Sequence, residues 1–70
     1  MKLTKQEQAV MIGMLVPFLG DKVVNENIDP EKLDSAIPVF NEMEDNTSPK
    51  QRRETMISLL DKVIDEFLKQ

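Results

Sequence analysis

The sequence contains no cysteine, no histidine, no tryptophan and no tyrosine, and it has only two glycines. Without cysteine, the chain can form neither a disulfide nor a thiolate zinc site. Without histidine, it lacks the commonest metal ligand and the usual general base. The absence of cysteine suits a reducing compartment. We therefore expect a cytoplasmic protein that carries no cofactor and no metal.

Catalytic groupings are also missing. The three serines, Ser35, Ser48 and Ser58, have no histidine to act as their base. Asp61 and Asp65 are four residues apart and share a helix face, as a two-carboxylate site would require. Lysines are interleaved on that face, which is typical of a solvated helix surface. We expect a protein that is not an enzyme.

Length and charge limit the remaining classes of function. Seventy residues allow one domain, residues 1–70, and a chain this short buries only about 60% of its unfolded surface. Without disulfides or metals, it depends on regular helix packing or on self-association. The net charge of −4, from nine basic and thirteen acidic residues, argues against non-specific binding to nucleic acid.

The N-terminal region superficially resembles a signal peptide, because Lys2 and Lys5 precede an apolar run over residues 9–19. Glu7 lies inside the charged part, however, and no small-residue cleavage site follows. The run is also shorter than the roughly 20 residues that span a bilayer. We expect neither secretion nor a membrane span.

The first helix is predicted to begin after Thr4, which forms a capping box with Glu7. Residues 9–12 are all apolar and cover every face of the helix, which is typical of a helix that is buried all round. Pro17 predicts either an end near Val16 or a kink over residues 13–17. Gly20 is the next expected end. Residues 21–28 are predicted to be a short helical turn or a loop.

Two further helices have clear beginnings. Asp29 and Pro30 predict a helix over residues 30–45, bent at Pro38. Its apolar stripe comprises Leu33, Ala36, Ile37, Phe40 and Met43. Ser48 and Pro49 start the last helix, which has a capping box completed by Gln51 and extends almost to the end. Its predicted core face comprises Met56, Ile57, Leu60, Val63, Ile64 and Phe67, with Leu59 and Leu68 flanking that face.

Together these patterns predict an all-α fold. It is a small bundle of three helices, or of four if residues 21–28 form a short turn. The helix at 30–45 and the last helix, which starts at 49, are expected to form an antiparallel hairpin because their connection is short. The first helix is expected to be the most buried.

The apolar excess of the first helix favours binding to another protein, since large exposed apolar patches mark interfaces. We expect a non-enzymatic interaction or regulatory module that self-associates, with a symmetric homodimer as the default form. The sequence does not identify any other protein partner. The predicted interface residues are Met11, Met14, Leu15, Phe18 and Phe67.

A basic cluster opens the last helix and supports an alternative, DNA-binding function. It comprises Lys50, Gln51, Arg52 and Arg53. A helix N-terminal turn with arginine and glutamine resembles the recognition element of a helix-turn-helix. The opening residues Leu3-Thr4-Lys5-Gln6-Glu7 also resemble the start of LuxR-type DNA-binding domains, which implies a helix-turn-helix regulator. Residues 8–70 depart from that pattern, with a proline in each of the first two helices.

Two further interpretations concern charge. The acids Glu42, Glu44 and Asp45 precede the turn, so they are expected to pair with the basic cluster across it. Acidic residues are also frequent over residues 21–45, where they could imitate a phosphate backbone. A small phage-type inhibitor would work in this way, although ordinary solubilising charge explains the same composition.

Overall fold

The computed structural model describes residues 2–69 of the chain. These residues form four α-helices and no strand: α1 is Lys5–Leu19, α2 is Asp21–Asn27, α3 is Pro30–Asp45 and α4 is Pro49–Leu68. The all-α fold predicted from the sequence is confirmed, and the short segment after Gly20 is helical, which makes four helices rather than three.

Helix α1 begins at the predicted capping box. The backbone N–H of Thr4 donates to Glu7 Oε1 at 2.8 Å, and the N–H of Glu7 donates to Thr4 Oγ1 at 3.1 Å. These two bonds satisfy backbone donors that have no partner inside the helix. The start of the first helix is thus encoded locally by two residues.

Pro17 does not end α1. The helix continues through it to Leu19, so an end near Val16 is wrong. Gly20 ends the helix with a φ of 89°, a backbone conformation that glycine adopts without steric cost, and its N–H donates to the Val16 carbonyl at 2.9 Å. Bending of α1, and of α3 at its internal Pro38, stays a prediction.

Helices α3 and α4 have the predicted boundaries. Asp29 Oδ1 accepts from the N–H of Glu31 at 2.9 Å, which is the bond expected of an N-cap. At α4, the N–H of Gln51 donates to Ser48 Oγ at 3.1 Å, and the N–H of Ser48 donates to the Gln51 side chain at 2.9 Å. A proline follows each cap, at the position where a missing N–H costs nothing.

Helix α1 is the centre of the arrangement, because it packs against α4, α2 and α3 in turn. Helices α3 and α4 are joined by a short turn at residues 46–48, and Arg52 of α4 pairs with Glu44 of α3 across it. The antiparallel packing of these two helices stays a prediction.

The core is very small. Among residues 2–69, only Val24, Leu59 and the carboxylate-bearing Glu7 are buried. Helix α1 has the largest share of buried and half-buried residues of the four helices, as expected, although many of its large apolar side chains remain exposed. The chain forms an open layer with extents of 33 × 32 × 19 Å and a radius of gyration of 13.4 Å, against about 11 Å for a compact chain of this length.

We predict that Ser48→Ala lowers the free energy of unfolding by about 1 kcal/mol, because it removes the N-cap of α4. The measurement is urea denaturation followed by circular dichroism at one fixed protein concentration. The matched control is Ser35→Ala, at an exposed position inside α3, with an expected change of less than about 0.5 kcal/mol. Equal losses in the two variants would contradict the role of the cap.

Candidate protein-interaction surface

The apolar stripe of α4 faces solvent. Leu59, which the sequence places at the edge of the core face, is the α4 residue that is buried against the rest of the chain. The residues predicted to be the core face are exposed, among them Ile57 at 60%, Leu60 at 59% and Phe67 at 76%. The predicted core face is thus an outer surface of the fold.

A partly buried ion pair joins α4 to α1 in this orientation. The Glu7 side chain is only 2% exposed, and its Oε1 accepts a hydrogen bond from Lys62 Nζ at 2.7 Å. Its Oε2 accepts from Ser58 Oγ at 3.0 Å. These bonds hold a polar edge of α4 against the start of α1. The apolar stripe is consequently turned outwards.

Glu7 has two roles, and the sequence predicts only one of them. The carboxylate acts as the capping partner of Thr4, as predicted, and the same group also joins two helices that are distant in sequence. The hydrogen bond from Lys62 is the largest of the effects that lower the pKa of Glu7 from 4.5 to about 2. The bond from the Thr4 backbone and that from Ser58 act in the same direction, while burial opposes them.

An apolar groove of about 500 Å³ runs between α1 and α4. Met11 and Met14 line it from α1, and Met56, Leu60 and Val63 are among the residues that line it from α4. The groove is open to solvent over its length and contains almost no polar surface. Flexible methionines from both helices allow such a surface to adapt to a second apolar surface.

The interface residues predicted on α1 border this groove or extend it. Met14, Leu15 and Phe18 are exposed, Phe18 at 86%, while Met11 is half-buried. Helices α1 and α4 run antiparallel, because the start of α1 meets Lys62 and its middle lies beside the first turns of α4. Phe18 and Phe67 therefore lie towards opposite ends of one surface. We call the exposed apolar residues of α1 and α4, together with the groove between them, the α1/α4 surface.

The basic cluster is divided by the structure. Arg52 forms an ion pair with Glu44 across the turn, as the local-pairing interpretation predicts. The Gln51 side chain is used in the capping box of α4. Within residues 2–69, Lys50 and Arg53 have no hydrogen bond or ion pair, and Arg53 borders the apolar groove. The four residues are thus neighbours in sequence with different roles.

The acidic residues of segment 21–45 lie on α2 and α3 and in the loop between them. Two of them have structural partners, since Asp29 caps α3 and Glu44 pairs with Arg52. Over residues 2–69, no group of three or more carboxylates is arranged to hold a metal ion. None of the four described helices is long and apolar enough to cross a bilayer.

Comparison with known proteins gives no relative. No family model matches the chain, and no curated protein or solved structure is significantly similar to it.

We predict that Glu7→Gln destabilises the protein most above pH 4.5. Because the folded-state pKa of Glu7, about 2, lies below its ordinary value of 4.5, the stabilisation is complete above pH 4.5 and is lost as the pH falls towards 2. Urea denaturation of both proteins between pH 7 and pH 2 measures the difference. That difference should shrink with falling pH. Asp65→Asn, at an exposed carboxylate of α4, is the control, and an equal pH dependence in both variants would contradict the assignment.

Proposed function

We propose that this protein is a non-enzymatic interaction or regulatory module that self-associates through the α1/α4 surface, in the cytoplasm. The observation that carries the proposal is the continuous apolar surface formed by exposed side chains of α1 and α4. Exposed apolar patches of this kind mark protein–protein contacts. The absence of histidine and cysteine, with no paired nucleophile and base, supports a binding role over a catalytic one.

The total surface of the protomer supports self-association. Its accessible area is 5858 Å², whereas a compact monomer of this mass exposes only about 4,500 Å². The excess is about 1,400 Å², and obligate homodimers bury roughly 1,000 Å² or more on each protomer. A second copy that covers the α1/α4 surface would therefore bring the protein to the exposure of an ordinary folded unit.

A DNA-binding function is the second candidate, because Lys50 and Arg53 are cations without a described partner at the start of α4. Gln51 and Arg52 already form side-chain bonds within the protomer. Fewer side chains of the cluster are therefore free to contact DNA bases. If the protein binds DNA through this cluster, Arg52→Ala combined with Arg53→Ala weakens binding and flattens its dependence on salt. Electrophoretic mobility shifts at two salt concentrations measure this, and unchanged binding would reject the DNA hypothesis. An acidic inhibitor of a host protein stays a third hypothesis.

We predict that Met11→Asp and Leu60→Asp each convert a dimer into a monomer, because each places a charge in the apolar contact. Size-exclusion chromatography with light scattering gives the mass, and circular dichroism checks that helices remain. Leu60 is 59% exposed, so its replacement tests the contact without disturbing the protomer core.

The control for this experiment is Ser35→Asp, which adds the same charge on α3 outside the α1/α4 surface. It should retain the mass of the parent protein. A parent protein that is monomeric at all concentrations, or a Leu60→Asp variant that stays dimeric, would show that this surface is not the contact.

A further inference from the structure

We infer that the second copy pairs its α4 with this α4 in an antiparallel direction, with the two Leu60 side chains meeting at the two-fold axis. This inference rests on the proposed self-association and specifies its geometry. It starts from the spacing of the exposed stripe on α4. Ile57, Leu60, Ile64 and Phe67 are separated by three, four and three residues, which is the spacing of a coiled-coil seam.

The α4 stripe is a helix seam without a partner inside the protomer. Its side chains are exposed, while the opposite, polar edge of α4 is held against α1 by Glu7, Ser58 and Lys62. Helix α4 therefore cannot rotate the stripe inwards without breaking the ion pair of Glu7 with Lys62, which would leave the Glu7 carboxylate without its cation. The stripe must be covered from outside, and another α4 is a matching apolar surface of equal length.

The charges along α4 favour the antiparallel direction. The stripe begins at Arg53, with Lys50 one turn earlier, and it ends at Phe67. A parallel pair would set Arg53 against its own copy at the edge of the seam, where like charges repel. An antiparallel pair brings Arg53 level with the exposed Phe67 ring of the second copy, where a cation–π contact can form. Asp61 lies at the edge of the stripe, where water solvates the carboxylates of both copies.

The position of α1 favours the same direction. Helix α1 packs beside α4 on one flank of the stripe. A two-fold axis perpendicular to antiparallel helices keeps both copies of α1 on the same flank, whereas an axis along parallel helices puts them on opposite flanks. Only the antiparallel pair therefore places both copies of α1 along the same flank of the paired α4 helices. With Leu60 at the axis, Met14 then lies level with Phe67 of the second copy, because Glu7 lies level with residues 58–62 of α4.

The absence of cysteine makes the geometry directly testable with single-cysteine variants and a short bis-maleimide cross-linker. We expect Leu60→Cys to cross-link with itself. We expect Arg53→Cys not to do so, because in an antiparallel pair the two copies of residue 53 lie about 20 Å apart along the helix axis. A mixture of Arg53→Cys and Phe67→Cys, one carrying a mass tag, should give the mixed product in preference to either like pair.

The control is Ser35→Cys on α3, which should give no dimer product, and circular dichroism confirms that every variant is helical. Self-cross-linking of Arg53→Cys would indicate parallel helices and overturn this inference while leaving self-association intact. A dimeric parent protein in which no α4 cysteine cross-links would place the contact elsewhere and also overturn it. A monomeric parent protein would overturn the proposed function itself.

Discussion

The buried carboxylate of Glu7 is the constraint on which the arrangement of the helices depends. It accepts hydrogen bonds from the Thr4 backbone, from Ser58 and from Lys62, and so it joins the beginning of α1 to the middle of α4. A buried charge of this kind is tolerated only when its hydrogen-bonding capacity is satisfied. In this geometry, Leu59 of α4 is buried and the apolar stripe is exposed.

The exposed stripe on α4 limits how stable a single copy of the chain can be. A chain of this size can form only a small core. In this chain, an ion pair occupies part of the buried volume in place of apolar side chains. The apolar residues that remain exposed on α1 and α4 are the surface through which we propose that the protein self-associates. Stability and function would then share one interface, as in obligate dimers whose protomers are not stable alone.

Local signals predicted the helices well, since each depends on residues close in sequence. Thr4 with Glu7, and Ser48 with Gln51, mark two helix starts by bonds that span only three residues. Gly20 marks an end through its positive φ. The effect of Pro17 was harder to predict, because a proline inside a helix either ends or bends it according to the packing around it. That packing cannot be read from the local sequence.

The sequence by itself determined the helix boundaries, the absence of thiol and imidazole chemistry, and the presence of more apolar residues than the protomer buries. Only the tertiary structure decided which face of α4 packs inside. Hydrophobic periodicity shows that α4 has an apolar face, but it cannot distinguish a core from an interface, since both exclude water from the same side chains. The contacts that decide which face of α4 packs inside join Glu7 to residues more than fifty positions away. Local sequence patterns cannot reveal a pairing over that distance.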